Sequence, residues 1–311
     1  MSYAPSSLCD DSLSWAFPHR MIIRLELCLR QTQCVLYIAV DGLIPSRGRS
    51  VAGLDEFTAA LDHAGIPAVW VTNRSRLEFD AARRKHAHTH PFIAEGGGGV
   101  YLPEGYFHLR PEKTVRLGRF TCVPMAEALP AAAHALETLS EETNVPVVAL
   151  SSLSPRELAQ NTGLPQREAE LVRQRDFDEL FFFAGASGKD IQRFVQAGRE
   201  KKYELRQHGV MWSLAIGASL KRCIQSLSKL YDRALRYHPA IMGIAKPDES
   251  DELFAACDRS ILLTDGKNEE ASEAVAPPNH GARTKRYSLH DSEVWQLILE
   301  QIAPEVSKPW K

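Results

Sequence analysis

The chain of 311 residues is long enough for one large domain or two ordinary ones. Its content of 44% hydrophobic and 24% charged residues is that of a folded globular protein rather than a disordered one. A formal net charge of −2 gives no basic surface for nucleic acid or acidic membranes. We therefore expect no nucleic acid and no membrane as partner, and the sequence leaves the oligomeric state open.

The location of the protein is indicated by what its N-terminal region contains. Charged residues such as Asp10, Asp11 and Arg20 interrupt the segment where a signal peptide would need an apolar run. The six cysteines are scattered without a CxxC pair, which argues against a disulfide framework or a zinc knuckle. These features predict a cytoplasmic protein with reduced thiols.

A regular alternation of strand and helix patterns begins at Cys34, after an N-terminal appendage over 1–33. An apolar run at 34–40 precedes a helical pattern at 54–64, and the run "IPAVWVT" at 66–72 precedes a helix that begins near Arg74. Strands that alternate with helices indicate parallel βαβ units. The segment "PFIAEGGGGVYLPEGYF" (91–107) breaks this rhythm and predicts a hairpin or flap.

The middle of the chain, 108–215, predicts a separate domain of mixed helix and strand. Ser154 and Glu157 form a capping-box pattern, Gly163 ends that helix, and "LFFF" at 180–183 is typical of a buried strand. Alternation then resumes with a helix at 219–234, a strand at 240–245, a helix at 249–257 and a strand at 260–264. A polar segment at 266–288 predicts a mobile loop, and 291–302 predicts a closing helix.

These patterns predict a two-domain α/β protein. Its discontinuous core, with a parallel sheet, comprises 34–107 and 216–303, and the inserted domain comprises 108–215.

The alternation, the acid after the first strand and two longer motifs resemble the haloacid dehalogenase-like (HAD) phosphatases. Within them the chain resembles the mannosyl-3-phosphoglycerate phosphatases, which carry a flap of the type FI-ENG-xx-Y-P-GYF and a cap segment of the type TGLP…RxxxE. Here the corresponding segments are "PFIAEGGGGVYLPEGYF" and "NTGLPQREAELVRQRDFDEL". The resemblance implies a Rossmann-like parallel-sheet core with an inserted α+β cap domain at 108–215. It also implies phosphate monoester hydrolysis on a phosphorylated sugar or sugar acid related to mannosylglycerate, with Mg²⁺ as cofactor.

The first motif of the resembled family, D-x-D-G-T, supplies an aspartate nucleophile and a second aspartate that acts as acid and base. This chain has "AVDGL", so Ala39 stands at the nucleophile position and Asp41 keeps the acid/base position. A methyl group can neither form an aspartyl-phosphate nor ligate magnesium. The resemblance therefore implies a phosphatase site without its attacking group.

The second and third motifs of the family supply groups that bind the phosphoryl moiety. In "VWVTNRS" the hydroxyl of Thr72 and the amide of Asn73 would bind it, although Thr72 would equally suit a helix cap. In "GASLKR" the corresponding cation is Lys221, and an exposed helix lysine would fit the same pattern.

The fourth motif of the family holds the metal with acids, and here it aligns with "IAKPDES". Lys246 and Ser250 then replace the two metal acids, which leaves only the backbone carbonyl of Asp41 as a family-type ligand. A rearranged loop could instead offer Asp248, Glu249 or Asp251. Lys246 could pair with Asp41 or neutralise a bound phosphate, or could be a solvated loop residue.

The substrate-facing residues that the resemblance implies lie in the flap and the cap. Their types are kept at Glu95, Thr162, Gly163, Arg175 and Glu179. Arg175 would also suit a purely structural salt bridge.

Three histidines in "HAHTH", at 86, 88 and 90, could suggest zinc if they lay on a strand. They follow a helical pattern and precede Pro91, so we interpret them as a solvated helix end and loop.

Three functional hypotheses follow from these residues. The first is a catalytically degenerate phosphatase homologue that still binds a phosphorylated sugar acid between core and cap. The second is an active phosphatase that uses a rearranged acid from 248–251. The third is an interaction protein with a vestigial cleft.

Overall fold

The computed structural model describes residues 34–45, 49–109, 111–266 and 284–302. The predicted appendage at 1–33 and most of the predicted mobile loop at 266–288 lie outside these ranges. In chain order the strands are β1 (Cys34–Ala39), β2 (Ala68–Val71), β3 (Phe92–Ala94), β4 (Gly99–Pro103), β5 (Val115–Leu117), β6 (Phe120–Pro124), β7 (Val147–Ala149), β8 (Asp178–Phe183), β9 (Tyr203–His208), β10 (Met211–Ile216), β11 (Ala240–Ala245), β12 (Arg259–Thr264) and β13 (Thr284–Ser288).

The helices lie between these strands in the alternation that the sequence predicts. In chain order they are α1 (Leu54–His63), α2 (Arg76–Lys85), α3 (Leu129–Thr143), α4 (Pro155–Thr162), α5 (Gln166–Arg173), α6 (Gly188–Glu200), α7 (Leu220–Leu235), α8 (Ser250–Phe254) and α9 (Val294–Ile302). None of the described helices is long and apolar enough to cross a membrane.

A nine-stranded sheet with the order β13-β12-β11-β1-β2-β3-β4-β6-β5 forms the larger part of the molecule. The strands from β13 to β3 pair in parallel, whereas β4, β6 and β5 extend the sheet with antiparallel pairs. Strand β1 lies between β11 and β2 and is buried on both faces, which explains its uninterrupted apolar sequence. This architecture confirms the predicted α/β class with a parallel core.

Helices cover both faces of the large sheet and bury its apolar side chains. On one face, Phe57 of α1 packs against Trp295 of α9, with 4.7 Å between their ring centroids. On the other face, Ile224 and Leu227 of α7 belong to the same buried cluster as Tyr37 of β1. A sheet covered on both sides presents its ligand sites at the carboxyl ends of its strands.

A second sheet, of four antiparallel strands in the order β7-β8-β10-β9, lies in the inserted segment. Helices α3 and α6 pack on this sheet through Leu136, Leu139 and Phe194. The predicted capping box is present at the start of α4, where Ser154 and Glu157 hydrogen-bond reciprocally.

Two strands inside the segment assigned to the cap belong to the large sheet instead. Strands β5 and β6 lie between residues 115 and 124 and extend the large sheet through β4. By sheet membership the insertion therefore begins after Pro124 rather than at residue 108. A second difference is that β13 pairs with β12 inside the predicted loop 266–288, which places a strand at 284–288.

Candidate functional site

The candidate site lies at the carboxyl ends of β1 and β2, beside the cap. Ala39 is the last residue of β1 and is buried opposite Val71 of β2. Strand β2 then ends, so the next residues turn toward Asp41. The adjacent ends of β1 and β2 bring Asp41, Thr72 and Asn73 together.

The carboxylate of Asp41 accepts hydrogen bonds from three consecutive residues that follow β2. The Thr72 hydroxyl donates to Oδ1, and the Asn73 amide nitrogen lies 2.6 Å from Oδ2. The Arg74 Nε lies 2.9 Å from Oδ1 and completes an ion pair. The donors that the resemblance assigns to a phosphoryl group are thus bound to a side chain of the protein itself.

Beside Asp41 a cavity of about 560 Å³ lies between the core and the cap. Its core wall includes Asp41, Asn73 and Arg74 and continues along α2, and its cap wall includes residues of α5 together with Arg175 and His208. A cavity of this volume accommodates a small organic molecule.

Arg175 is the predicted substrate-facing residue of the cap that lines this cavity. Its guanidinium forms a buried, two-point ion pair with Asp178, and its Nη2 lies 2.6 Å from the Asn73 carbonyl oxygen. Arg175 therefore links the cap to the loop that binds Asp41.

The flap acid Glu95 is directed into the joint between core and cap rather than into the cavity. It is 1% exposed, and its carboxylate accepts hydrogen bonds from the amides of Asp176, Phe177 and Asp178, the shortest being 2.7 Å from Phe177. Burial, together with the negative charge of Asp178, raises the pKa of Glu95 to about 8. Glu95 thus binds the backbone that leads into β8.

The other residues of the cap that were predicted to face the substrate have hydrogen-bond partners or turn positions close to them in the cap. The Thr162 hydroxyl donates to the Leu158 carbonyl at 2.7 Å, and Gly163 ends α4 with a positive φ of 69°. Glu179 accepts a hydrogen bond from the Ser151 amide at 3.0 Å, and burial raises the pKa of its carboxyl group. The structure does not bring these three residues to the cavity wall.

Lys221, predicted to balance phosphate charge, lies in the first turn of α7 and is exposed. It is not part of the cavity wall beside Asp41. The positive charge next to Asp41 comes from Arg74 instead.

The two residues that stand at the metal-acid positions have partners away from Asp41. Lys246 forms its ion pair with Asp265, so the suggested pairing of Lys246 with Asp41 is wrong. The Ser250 hydroxyl is buried and donates to the Pro247 carbonyl at 2.8 Å. Lys246 therefore links the loop after β11 to the residue after β12, whereas Ser250 bonds within its own loop.

Comparison with known proteins places these residues in a family context. The chain is 22% identical over 220 residues to a glucosyl-3-phosphoglycerate/mannosyl-3-phosphoglycerate phosphatase of Methanococcoides burtonii, which covers 66% of this chain and 79% of the relative. It is 22% identical over 218 residues to a mannosyl-3-phosphoglycerate phosphatase of Pyrococcus furiosus, which covers 70% of this chain and 85% of the relative. No family model matches the sequence.

Solved structures of HAD-superfamily phosphatases have a similar fold. A phosphatase of this superfamily from Bacteroides thetaiotaomicron superposes with a TM-score of 0.58 at 15% identity, covering 88% of this chain and 96% of the neighbour. A subclass IIB sugar phosphatase gives a TM-score of 0.55 at 12% identity, covering 86% and 98%. The chain has the haloacid dehalogenase-like fold and resembles the mannosyl-3-phosphoglycerate phosphatases.

Mg²⁺ is the cofactor that the haloacid dehalogenase-like fold implies, and the residues present do not fit it. No group of three or more His, Cys, Asp or Glu side chains converges anywhere in 34–45, 49–109, 111–266 and 284–302. Both Asp41 oxygens accept hydrogen bonds, and Ala39 offers no oxygen from its side chain. A magnesium ion requires several oxygen ligands in octahedral geometry, which this strand end does not provide.

Among the three nearby acids, Glu249 has a structural connection to Asp41. Its Oε2 lies 3.4 Å from the Gly42 amide nitrogen, and burial, followed by the charge of Asp41, raises its pKa to about 7. Asp248 and Asp251 are exposed to solvent.

Two features of this site, Arg74 and the partly buried histidines, were not recognised in the sequence. Arg74 had only one signal, its position two residues after Thr72. The histidines of "HAHTH" do follow the end of α2, but they are not solvated as interpreted. The His88 ring stacks on Trp70 at 4.1 Å between centroids, and the His86 ring lines the cavity.

Proposed function

We propose that this chain is a phosphatase homologue that has lost phosphate monoester hydrolysis and keeps a cavity for a phosphorylated sugar or sugar acid. One observation carries the proposal. The Thr72 hydroxyl and the Asn73 amide donate their hydrogen bonds to the Asp41 carboxylate. In addition, Ala39 is the residue at the position of the attacking carboxylate. Phosphate chemistry at this strand end lacks both its nucleophile and free phosphoryl-binding donors.

The expected size of the catalytic loss supports inactivity rather than slow turnover. Removal of a nucleophile from a catalytic unit commonly lowers the rate by about 10⁴- to 10⁶-fold. The metal's contribution to charge stabilisation is lost in addition, because the residues present do not fit Mg²⁺.

Binding of an anionic ligand has support from the walls of the cavity. The wall includes the cations Arg74, Lys85 and Arg175, which can contact an anionic group, and it also includes the acids Asp41, Glu78 and Glu168. A phosphate group would compete with the Asp41 carboxylate for Thr72 and Asn73, so the affinity for phosphate esters should be modest.

Phosphatase assays with Mg²⁺ and p-nitrophenyl phosphate or mannosyl-3-phosphoglycerate test the catalytic part. We expect no turnover above background in the native chain. Turnover that disappears in Asp41→Asn would overturn the proposal. An Ala39→Asp, Lys246→Asp double variant serves as the comparison, since any gain of hydrolysis there locates the loss at these two positions.

Thermal unfolding with the same phosphate esters tests the binding part. A ligand present at 100 times its dissociation constant stabilises the folded state by about 2.7 kcal/mol, which shifts the melting temperature measurably. No shift at millimolar ester would contradict retained binding.

A second candidate, residual hydrolysis that uses Glu249, is favoured by one observation. Glu249 is the acid of the 248–251 loop that contacts the Gly42 amide beside Asp41, and its pKa is about 7. Native turnover that disappears in Glu249→Gln but survives in Asp248→Asn would support this candidate over the first.

A further inference from the structure

Three side chains, of which Ser50 and His86 line the cavity, form a hydrogen-bonded chain that phosphate chemistry does not use. The Ser50 Oγ lies 3.0 Å from the His86 Nε2, and the His86 Nδ1 hydrogen-bonds to the Asp55 carboxylate. Ser50 precedes α1, Asp55 lies in the first turn of α1, and His86 follows the last residue of α2. The fold thus joins residues that are 31 and 36 positions apart.

The direction of these hydrogen bonds follows from their chemistry. An ionised carboxylate only accepts hydrogen bonds, so the His86 Nδ1 carries the proton that it donates to Asp55. The Nε2 of the neutral imidazole is then an acceptor, and the Ser50 hydroxyl donates to it. This is the tautomer in which an imidazole can take a proton from a serine hydroxyl.

The serine and its base both line the cavity of about 560 Å³. The His86 ring is only 2% exposed and lies 5.9 Å from Trp70 in an edge-on contact, which restricts its orientation. The facing walls include apolar side chains such as Ile44, Leu171 and Val172, together with the cation Lys85. A short, uncharged acyl chain fits these apolar side chains, and the other charged residues of the lining include the acids Glu78 and Glu168.

We propose that Ser50, His86 and Asp55 form a nucleophilic serine site that hydrolyses small carboxylic esters. The Ser50 Oγ bonds to the acyl carbon while His86 Nε2 takes the hydroxyl proton. The bond between the acyl carbon and the alcohol oxygen then breaks, and Nε2 returns the proton to the leaving alcohol. Water attacks the acyl-Ser50 ester in the same way, which releases the carboxylic acid and restores the serine hydroxyl.

Asp55 acts through His86 and is a positioning residue. It holds the Nδ1 proton and stabilises the imidazolium that forms during each step. Because the Asp55 side chain is 64% exposed, solvent screens its charge, and its contribution should be smaller than that of His86.

A second serine and histidine pair provides a matched control within the same chain. The Ser213 Oγ also lies 3.0 Å from a histidine nitrogen, the Nε2 of His208. Ser213 is 2% exposed and is not part of the cavity wall, so an ester cannot reach it. A hydrogen bond from serine to histidine alone therefore does not define the proposed site.

Hydrolysis of p-nitrophenyl butyrate by the full-length chain tests the proposal. We expect Ser50→Ala and His86→Asn to lower kcat/KM by at least about 100-fold, and Ser213→Ala to leave it unchanged. Equal loss in Ser50→Ala and Ser213→Ala, or no loss in Ser50→Ala, would overturn the site.

Covalent labelling of the native chain is independent of whether a variant folds. A fluorophosphonate probe followed by peptide mass spectrometry should label Ser50 in preference to the exposed Ser152, and the label should be lost in His86→Asn. Labelling spread equally over Ser50 and Ser152 would count against the proposal.

The positioning role of Asp55 has its own readout. Asp55→Asn should lower kcat by about 10-fold and leave KM nearly unchanged, because Asp55 acts on the imidazole rather than on the bound ester. A raised KM with an unchanged kcat would assign Asp55 a structural role only.

Discussion

Two groups of polar residues beside the cavity differ in their hydrogen-bond partners: we call them the Asp41 end (Asp41, Thr72, Asn73 and Arg74) and the Ser50 end (Ser50, Asp55 and His86). At the Asp41 end, a carboxylate of the protein occupies the hydroxyl and amide that could bind a phosphoryl group. At the Ser50 end, a hydroxyl is bonded to the imidazole that could take its proton, and both face the cavity. The difference in partners decides reactivity, because the donors of the Asp41 end are bonded to a carboxylate of the protein, whereas the Ser50 end retains a hydroxyl next to a base.

The largest expected effect is on stability and concerns Arg175, which lies at the Asp41 end only. Arg175→Met should lower the free energy of unfolding by about 3–5 kcal/mol, because it leaves Asp178 buried without its ion-pair partner. Chemical denaturation measures this loss. The control Arg193→Met removes an exposed ion pair with Asp190 and should cost less than about 1 kcal/mol.

The same variant tests whether the Asp41 end and the Ser50 end are independent of each other. In the fraction of Arg175→Met that remains folded, ester hydrolysis at Ser50 should persist, because Arg175 contacts Asn73 and Asp178 rather than Ser50 or His86. Parallel loss of both properties would mean that the two ends are not independent.

The next effect is the pH dependence of stability at the Asp41 end. The pKa of Glu249 is raised from 4.5 to about 7, so between these values the folded state holds a proton that the unfolded state has lost. Stability therefore falls as pH rises through this window, by about 1–3 kcal/mol for a shift of this size. Urea denaturation at several pH values should show a flatter profile for Glu249→Gln.

The control for this pH dependence is Asp248→Asn, a nearby acid that is exposed. Its profile should follow that of the native chain. An unchanged slope in Glu249→Gln would contradict the assignment of the proton to this carboxyl group.

A smaller effect is expected on anion binding. Asp41→Ala releases the Thr72 hydroxyl, the Asn73 amide and Arg74 from the carboxylate, so inorganic phosphate should bind about 10-fold more tightly, equivalent to about 1.4 kcal/mol. Isothermal titration calorimetry measures the change. Asp248→Ala removes the same charge nearby and should have little effect, and equal gains in both variants would indicate net charge alone as the cause.

The smallest effect should come from Lys246. Lys246→Met keeps the aliphatic stem beside Gly42 and removes only the ion pair with Asp265, which is 64% exposed. The free energy of unfolding should change by less than about 1 kcal/mol. A loss of several kcal/mol would show that the ammonium group also serves the Asp41 end.

Much of the architecture could be predicted because it depends on local apolar patterns. Uninterrupted apolar runs predicted the buried strands β1, β2 and β11, and their alternation with helices predicted the parallel core. The antiparallel extension by β5 and β6 was assigned to the cap, because strands of three and five residues carry little periodicity. Which of two sheets such strands join is settled by long-range pairing.

The features of the candidate site also differ in whether the sequence could predict them. The residue type alone shows that Ala39 cannot act as a nucleophile. The pairing of Asp41 with Arg74 rather than Lys246, and the meeting of Ser50, Asp55 and His86, could be seen only in the folded chain. These hydrogen-bond partners lie 31 to 36 positions apart in the chain. The register of β1 against β2 brings the first group together, and the packing of α1 and α2 brings the second together. A local sequence pattern encodes neither of these long-range contacts.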